Sequence, residues 1–301
     1  MNPADLARLL GLAALWGASF MLLRILAPAL GPLITGDLRV LIAGAVLLAW
    51  TWARGDRVGW RANGARYLVI GLLNAAVPFT LFAFAALHLP AGYSAILNAT
   101  TPLFGAICAA IWLGERFTVR KLVGMLFGLA GVGLVAQVRA ADLGVPGLLS
   151  IGACVLAALS YGLGNTYARR TARHLAPMHI AGASQWLGGL ALLPVALPLA
   201  PSSITVTPLV VGALLALALG CSAIAQTVYY RLLSNVGPSK ALSVTFLIPL
   251  FGVLWARVFL GEPVTVAMLG GGSLILAGIA AIAFAPSAPP AQAPARANVT
   301  T

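Results

Sequence analysis

Long apolar runs follow one another along this chain with short polar breaks between them. A membrane-crossing helix needs roughly 20 consecutive apolar residues. On that measure ten spans are expected, over 5–27, 33–53, 66–87, 91–113, 118–138, 146–167, 178–199, 207–233, 239–260 and 264–285. The breaks carry turn residues and charges, such as Arg54-Gly55-Asp56-Arg57 and Arg169-Arg170. The pattern predicts an all-α integral membrane protein. The stretch 286–301, rich in Pro and Ala, is expected to be a disordered tail.

One stretch occurs twice. Residues 102–115 read PLFGAICAAIWLGE and residues 249–262 read PLFGVLWARVFLGE, eight of fourteen identical at an offset of 147. At the same offset Thr118 matches Thr265, Gly124 matches Gly271 and Gly131 matches Gly278. LAALWG around Trp16 is echoed by LAALSYG around Tyr161. Because it has an internal copy, the first span is expected to belong to the fold and not to be a cleaved signal segment. Self-similarity at half the chain length predicts two structural units, 1–142 and 143–285.

Composition adds a solvent. Apolar residues make up 61% and charged residues 8%, against about 25% charged in soluble domains. The net charge of +12 is read as the basic bias of cytoplasmic loops, not as a nucleic-acid surface. Cys108, Cys154 and Cys221 lie in apolar runs without metal-ligand spacing, so they are expected to be small packing residues, with no metal and no cofactor.

Charge then orients the chain. With the N-terminus inside, the cytoplasmic side receives Arg8, Arg54, Arg57, Arg61, Arg66, Arg116, Arg120, Lys121, Arg169, Arg170, Arg173, Arg231, Lys240 and Arg296. Only Arg24, Arg39, Arg139 and Arg257 fall outside. Both termini are therefore expected in the cytoplasm. Each unit holds five spans, an odd number, so the second enters the membrane upside down. Inverted repeats allow one backbone two related states, open to either side, with the substrate near the midplane.

The 5 + 5 spans, Trp16-Gly17 in the first of them, and the duplicated Pro to Gly-Glu motif together resemble EamA-type proteins of the drug/metabolite transporter superfamily. The resemblance covers 1–285, and within the superfamily the chain is most similar to YddG-like bacterial amino-acid exporters. It implies a basket-like bundle in a bacterial inner membrane. Spans 1–4 and 6–9 would surround a central cavity, and spans 5 and 10 would stand at the periphery.

Polar residues inside the spans name the candidate cavity: Ser19, Asn74, Asn98, Thr101, Asn165, Gln185, Gln226 and Thr245. Facing lipid they are costly, so they are expected to face inward; interhelical hydrogen bonding is the alternative for each. Trp16, Phe79, Phe82, Tyr161 and Tyr229 would add aromatic surface. Pro78, Pro102 and Pro249 are candidate hinges, or static kinks, because a mid-helix proline frees a carbonyl. Gly124, Gly128, Gly131, Gly271 and Gly278 would pack spans five and ten against each other, which favours a monomer; dimerisation through them is the alternative.

No carboxylate is expected deep in a span. Asp37 is read as a partner of Arg39 near the outer end of span two. Glu115 and Glu262 are read as loop ties or caps of the next helix. Without a buried acid or His, uncoupled, alternating-access transport of a small neutral metabolite, an amino acid above all, is the leading reading. Sugar phosphates, nucleotide-sugars and drug cations stay open as cargo. An intramembrane enzyme is disfavoured, because no nucleophile elbow or phosphate loop occurs.

Overall fold

The computed structural model describes residues 1–115, 118–241 and 243–283, with the backbone alone for 136–143, 238, 239, 282 and 283. The expected disordered tail, 286–301, lies outside the described residues. Among the described residues ten helices run up and down the bundle. They are α1 (Pro3–Leu30), α2 (Pro32–Ala53), α3 (Trp60–Ala85) and α4 (Ala91–Leu113). Then Val119–Thr171 forms one helical stretch that Gly144 interrupts with φ 58° and ψ −146°. Its part before Gly144 is α5 and its part Gly144–Thr171 is α6. There follow α7 (Pro177–Ala196), α8 (Pro208–Val236), α9 (Val244–Leu260), preceded by the single turn Pro238–Ala241, and α10 (Val266–Ala283). Among the described residues six of these are long and apolar enough to cross a membrane unaided, and α9 and α10 are shorter apolar helices.

Local chemistry sets the ends. Pro3, Pro32, Pro177 and Pro208 stand in first turns, where a missing N–H costs nothing. Asn2, Thr118 and Thr207 accept a backbone N–H from three residues on, as N-caps do. The duplicated Gly-Glu has a backbone reason. Gly114 and Gly261 close α4 and α9 with φ of 66° and 67°, a left-handed conformation that costs a residue with a side chain about 1–2 kcal/mol. The next N–H, of Glu115 or Glu262, turns back to the carbonyl of Ala109 or Ala256.

Close crossings tie the repeats together, and they come in matched pairs. A Cβ on Gly17 of α1 would lie 2.7 Å from the Phe251 Cβ and 2.8 Å from the Gly252 nitrogen of α9. A Cβ on Gly162 of α6 would lie 2.8 Å from the Phe104 carbonyl carbon and 2.9 Å from the Gly105 nitrogen of α4. Glycine is needed at both, because the clash is with backbone. α5 and α10 cross at Gly131 on Gly271 and at Gly124 on Gly278, whereas Gly128 also meets Leu103 of α4. Outward side chains such as Ile111, Leu126, Val258, Phe259 and Leu269 are exposed, as an apolar solvent requires. Buried Cys108, Cys154 and Cys221 are free thiols.

Candidate substrate cavity

A cavity of about 350 Å³ lies inside the bundle, within the ~300–1,000 Å³ of small-molecule sites. Its wall brings together Trp16, Ser19, Asn74, Phe79, Phe82, Asn98, Thr101, Tyr161, Asn165, Gln185, Gln226, Tyr229 and Thr245. Every polar and aromatic residue singled out in the sequence stands in this one wall. Inward pointing follows from the cost of amides in lipid. The rings pair across the repeats: Trp16 with Tyr229 at 5.5 Å between centroids, and Tyr161 with Phe82 at 6.3 Å. These are the same pairing twice, since Trp16 and Tyr161 are counterparts and so are Tyr229 and Phe82. Asn74 Nδ2 donates to Asn165 Oδ1 at 3.3 Å. Asn74 Oδ1 and Gln185 Oε1 are buried without a donor.

Two helices are under-wound and widened at this level. Leu72–Ala76 of α3 and Ala216–Ile224 of α8 are π-helical, at overlapping positions in the two repeats. Such segments re-aim side chains and cluster at functional sites. They carry Asn74, Cys221 and Ser222 of the wall. Pro78 removes an N–H just after the first. Its counterpart is Ala225, so a proline is not what makes the second; there Ser222 donates to the Leu217 carbonyl five residues back.

The wall also holds what the sequence reading put outside. Arg39 is not near a loop: it is 4% exposed and lines the cavity. Its Nε–H donates to Ser222 Oγ at 2.9 Å, an Nη–H donates to Ser19 Oγ at 3.4 Å, and its guanidinium lies 3.6 Å from the centre of the Phe79 ring. The expected Asp37–Arg39 pair is absent, because residues two apart on a helix project to opposite sides. Asp37 is 1% exposed, stands outside the wall, and its Oδ1 has no donor. So a carboxylate is buried in α2 after all. An arginine seven residues into an apolar run was the available signal; counting it as loop charge hid it. Ser184, Ser222 and Tyr230 were likewise missed, since hydroxyls in apolar runs are too common to stand out.

Ten helices in two matched halves, enclosing a polar cavity, agree with a family comparison. The model of the EamA-like transporter family matches residues 6–137 and again 148–284. The chain belongs to that family.

It is 28% identical over 272 residues to the uncharacterized transporter YvbV of Bacillus subtilis, covering 89% of this chain and 88% of that one. It is 30% identical over 257 residues to the uncharacterized inner membrane transporter YedA of Escherichia coli K12, covering 84% and 82%. Protein PecM of Dickeya dadantii is 28% identical over 258 residues, covering 85% and 84%. A solved crystal structure shares the fold with a TM-score of 0.65 at 21% identity, covering 94% of this chain and 97% of that one. The chain is thus a multi-pass membrane transporter, not an enzyme.

Within this EamA-like frame the remaining candidates fall as follows. Pro102 is not in the middle of a helix: α4 is broken at Ala99-Thr100, and Pro102 opens its second part, Thr101–Leu113. Pro249 lies inside the continuous α9. The matched prolines therefore occupy unlike backbones. The matched glutamates do not cap the helices that follow them. Glu262 accepts from the N–H groups of Ala91 and Gly92, at 3.0 and 3.4 Å, at the start of α4 in the other repeat. Arg24 approaches it at 3.9 Å and donates to the carbonyls of Ala86 and Leu87 after α3. At the face that bears the N-terminus, Glu115 accepts from Arg169 at 2.7 Å and Lys121 at 3.4 Å. The Arg169 hydrogen bond, first, holds the Glu115 carboxyl below its ordinary range. His88 and His179 sit at helix ends, beside Ser150 and Asp56.

Proposed function

We propose that this EamA-like transporter exports small neutral amino acids across a bacterial inner membrane by alternating access, with both termini in the cytoplasm. The observation that supports this reading is the cavity wall. Its facing ring pairs suit an apolar or aromatic side chain. Its unpaired amide acceptors, Asn74 Oδ1 and Gln185 Oε1, together with ring faces, suit an ammonium. Among the described residues the wall contains no Asp, Glu or His. That disfavours a drug cation, which would want an acid, and it supports uncoupled flux down the cargo gradient. The resemblance to YddG-like exporters points the same way. The crossing of α5 and α10 uses their glycines within one chain, which favours a monomer.

The paired glutamate latches (Glu115 on Arg169 and Lys121, Glu262 on Arg24 and the start of α4) and the crossings supply the two-state element. Eight wall residues have counterparts outside the wall; Ile70, Ile180, Ala181, Gln185, Tyr230 and Val244 stand in the halves of their helices nearer the N-terminal face, and Ser19 and Ala99 in the opposite halves. The larger group supports a cavity that extends toward the N-terminal face. Counterflow in proteoliposomes with a panel of radiolabelled amino acids is expected to show saturable exchange. Absence of exchange for every amino acid rejects the cargo. An imposed pH gradient is expected to drive no uphill accumulation; accumulation that Asp37→Asn abolishes rejects uncoupled transport.

A further inference from the structure

Arg39 is the one charged side chain in the cavity wall among the described residues. A guanidinium has five N–H donors and no acceptor. Two of its nitrogens donate to Ser222 and Ser19, and its face lies on Phe79. None of the ion pairs formed by the described residues includes it. An uncompensated cation at membrane depth is expensive, and such residues mark substrate pathways.

The fold does not require this charge. At an offset of 145, where Pro32 matches Pro177 and Gly44 matches Gly189, the counterpart of Arg39 is Ser184. Ser184 is buried at the cavity wall of the inverted repeat. The same backbone position therefore works with a small hydroxyl. What the wall gains from Arg39 is a fixed donor fork, the geometry that takes a planar carboxylate through two hydrogen bonds. The Phe79 ring fixes the plane of the fork, and Ser222 is itself held by the π segment through the Leu217 carbonyl.

We infer that Arg39, with Ser19 and Ser222, forms the subsite that receives the carboxylate of the cargo. The inference rests on the reading of this cavity as the cargo site, and it narrows the cargo to molecules bearing one carboxylate. In a zwitterion the ammonium then falls to the ring faces and to the amide acceptors of Asn74 and Gln185. A single guanidinium matches a monoanion, so cargo with only an amine is excluded.

The test separates the two ends of one molecule. L-Phenylalanine, 3-phenylpropionate and 2-phenylethylamine are compared on the purified full chain by ligand-induced thermal shift and by counterflow. The wild type is expected to bind both carboxylates at least about tenfold more tightly than the amine, the loss associated with a hydrogen bond to a charged group. Arg39→Gln should erase that preference, and Arg39→Lys should restore part of it. Should the variants fold poorly, the wild type still decides: phenylglyoxal labelling of Arg39, read by peptide mass spectrometry, is expected to slow with either carboxylate and not with the amine. Equal binding of amine and carboxylate, or carboxylate preference kept in Arg39→Gln, overturns the subsite. Phenylalanine exchange that ignores Arg39→Gln overturns it too and leaves the amino-acid cargo standing. Arg39-dependent binding of 3-phenylpropionate without exchange of any amino acid does the reverse.

Discussion

Trp16 and Tyr161 stand at matched places in the two repeats, and so do Phe79 and Gln226, Asn74 and Cys221, and Arg39 and Ser184. No two counterparts in the wall are identical, and outside the ring pairs most differ in chemical class. The backbone devices beneath are nearly duplicates: the crossings at Gly17 and Gly162, the left-handed Gly114 and Gly261, and the π segments of α3 and α8. The two classes of position answer to different demands. On the proposed alternating-access reading two interchangeable halves are needed, which accounts for the copying of what sets helix approach and bending. The proposed cargo has two unlike ends, which accounts for the unlike chemistry of the wall.

The largest expected effects test the copied half of that contrast. Gly17→Val and Gly162→Val should each cost about 1–3 kcal/mol through overpacking against backbone, seen as a matched fall in melting temperature of the detergent-purified protein. A large fall at one site and none at the other would break the equivalence of the crossings.

The uncopied half predicts unequal effects. Phe79→Ala removes the ring under the Arg39 guanidinium, an interaction worth about 0.5–2 kcal/mol. Gln226→Ala removes no ion–ring contact. Counterflow should therefore weaken severalfold more in Phe79→Ala than in Gln226→Ala, and equal losses would mean that the wall is functionally symmetric after all.

The latches come last. Glu262 is the better buried of the two acids, with 12% of its side chain exposed against 37% for Glu115, and it alone takes two N–H groups of a helix start. Glu262→Gln should cost about 1 kcal/mol, as loss of a charged N-cap does. Glu115→Gln should cost about 0–1 kcal/mol, as an exposed ion pair does. Thermal melts of the two variants check the order. The Glu115 contribution has a pH signature. Because its folded value is lowered by Arg169, its stabilisation is present above the ordinary glutamate value and lost as pH falls through the lowered one. The acid-side decline of the melting temperature should be shallower in Glu115→Gln than in the wild type.

The sequence by itself determined the spans, the duplication and its inversion, because apolar run length, repeat offset and an odd span count are properties of the chain alone. It also picked out the amides of the wall, such as Asn74 and Gln185, which are costly facing lipid and so have one direction to face, but not its arginine or the hydroxyls of Ser184, Ser222 and Tyr230. Only the tertiary structure decided the meaning of Arg39, Asp37 and the matched prolines. Arg39 and Asp37 are two residues apart in sequence and look like a pair, but a helix turns them to different sides, and the sequence does not say which side meets the cavity. Pro102 and Pro249 look alike at the same offset, yet α4 breaks ahead of one and α9 runs through the other, because neighbouring helices decide where a weakened helix gives way. The ring pairs Trp16–Tyr229 and Tyr161–Phe82 join residues more than seventy positions apart, and such pairing exists only once the two repeats have packed.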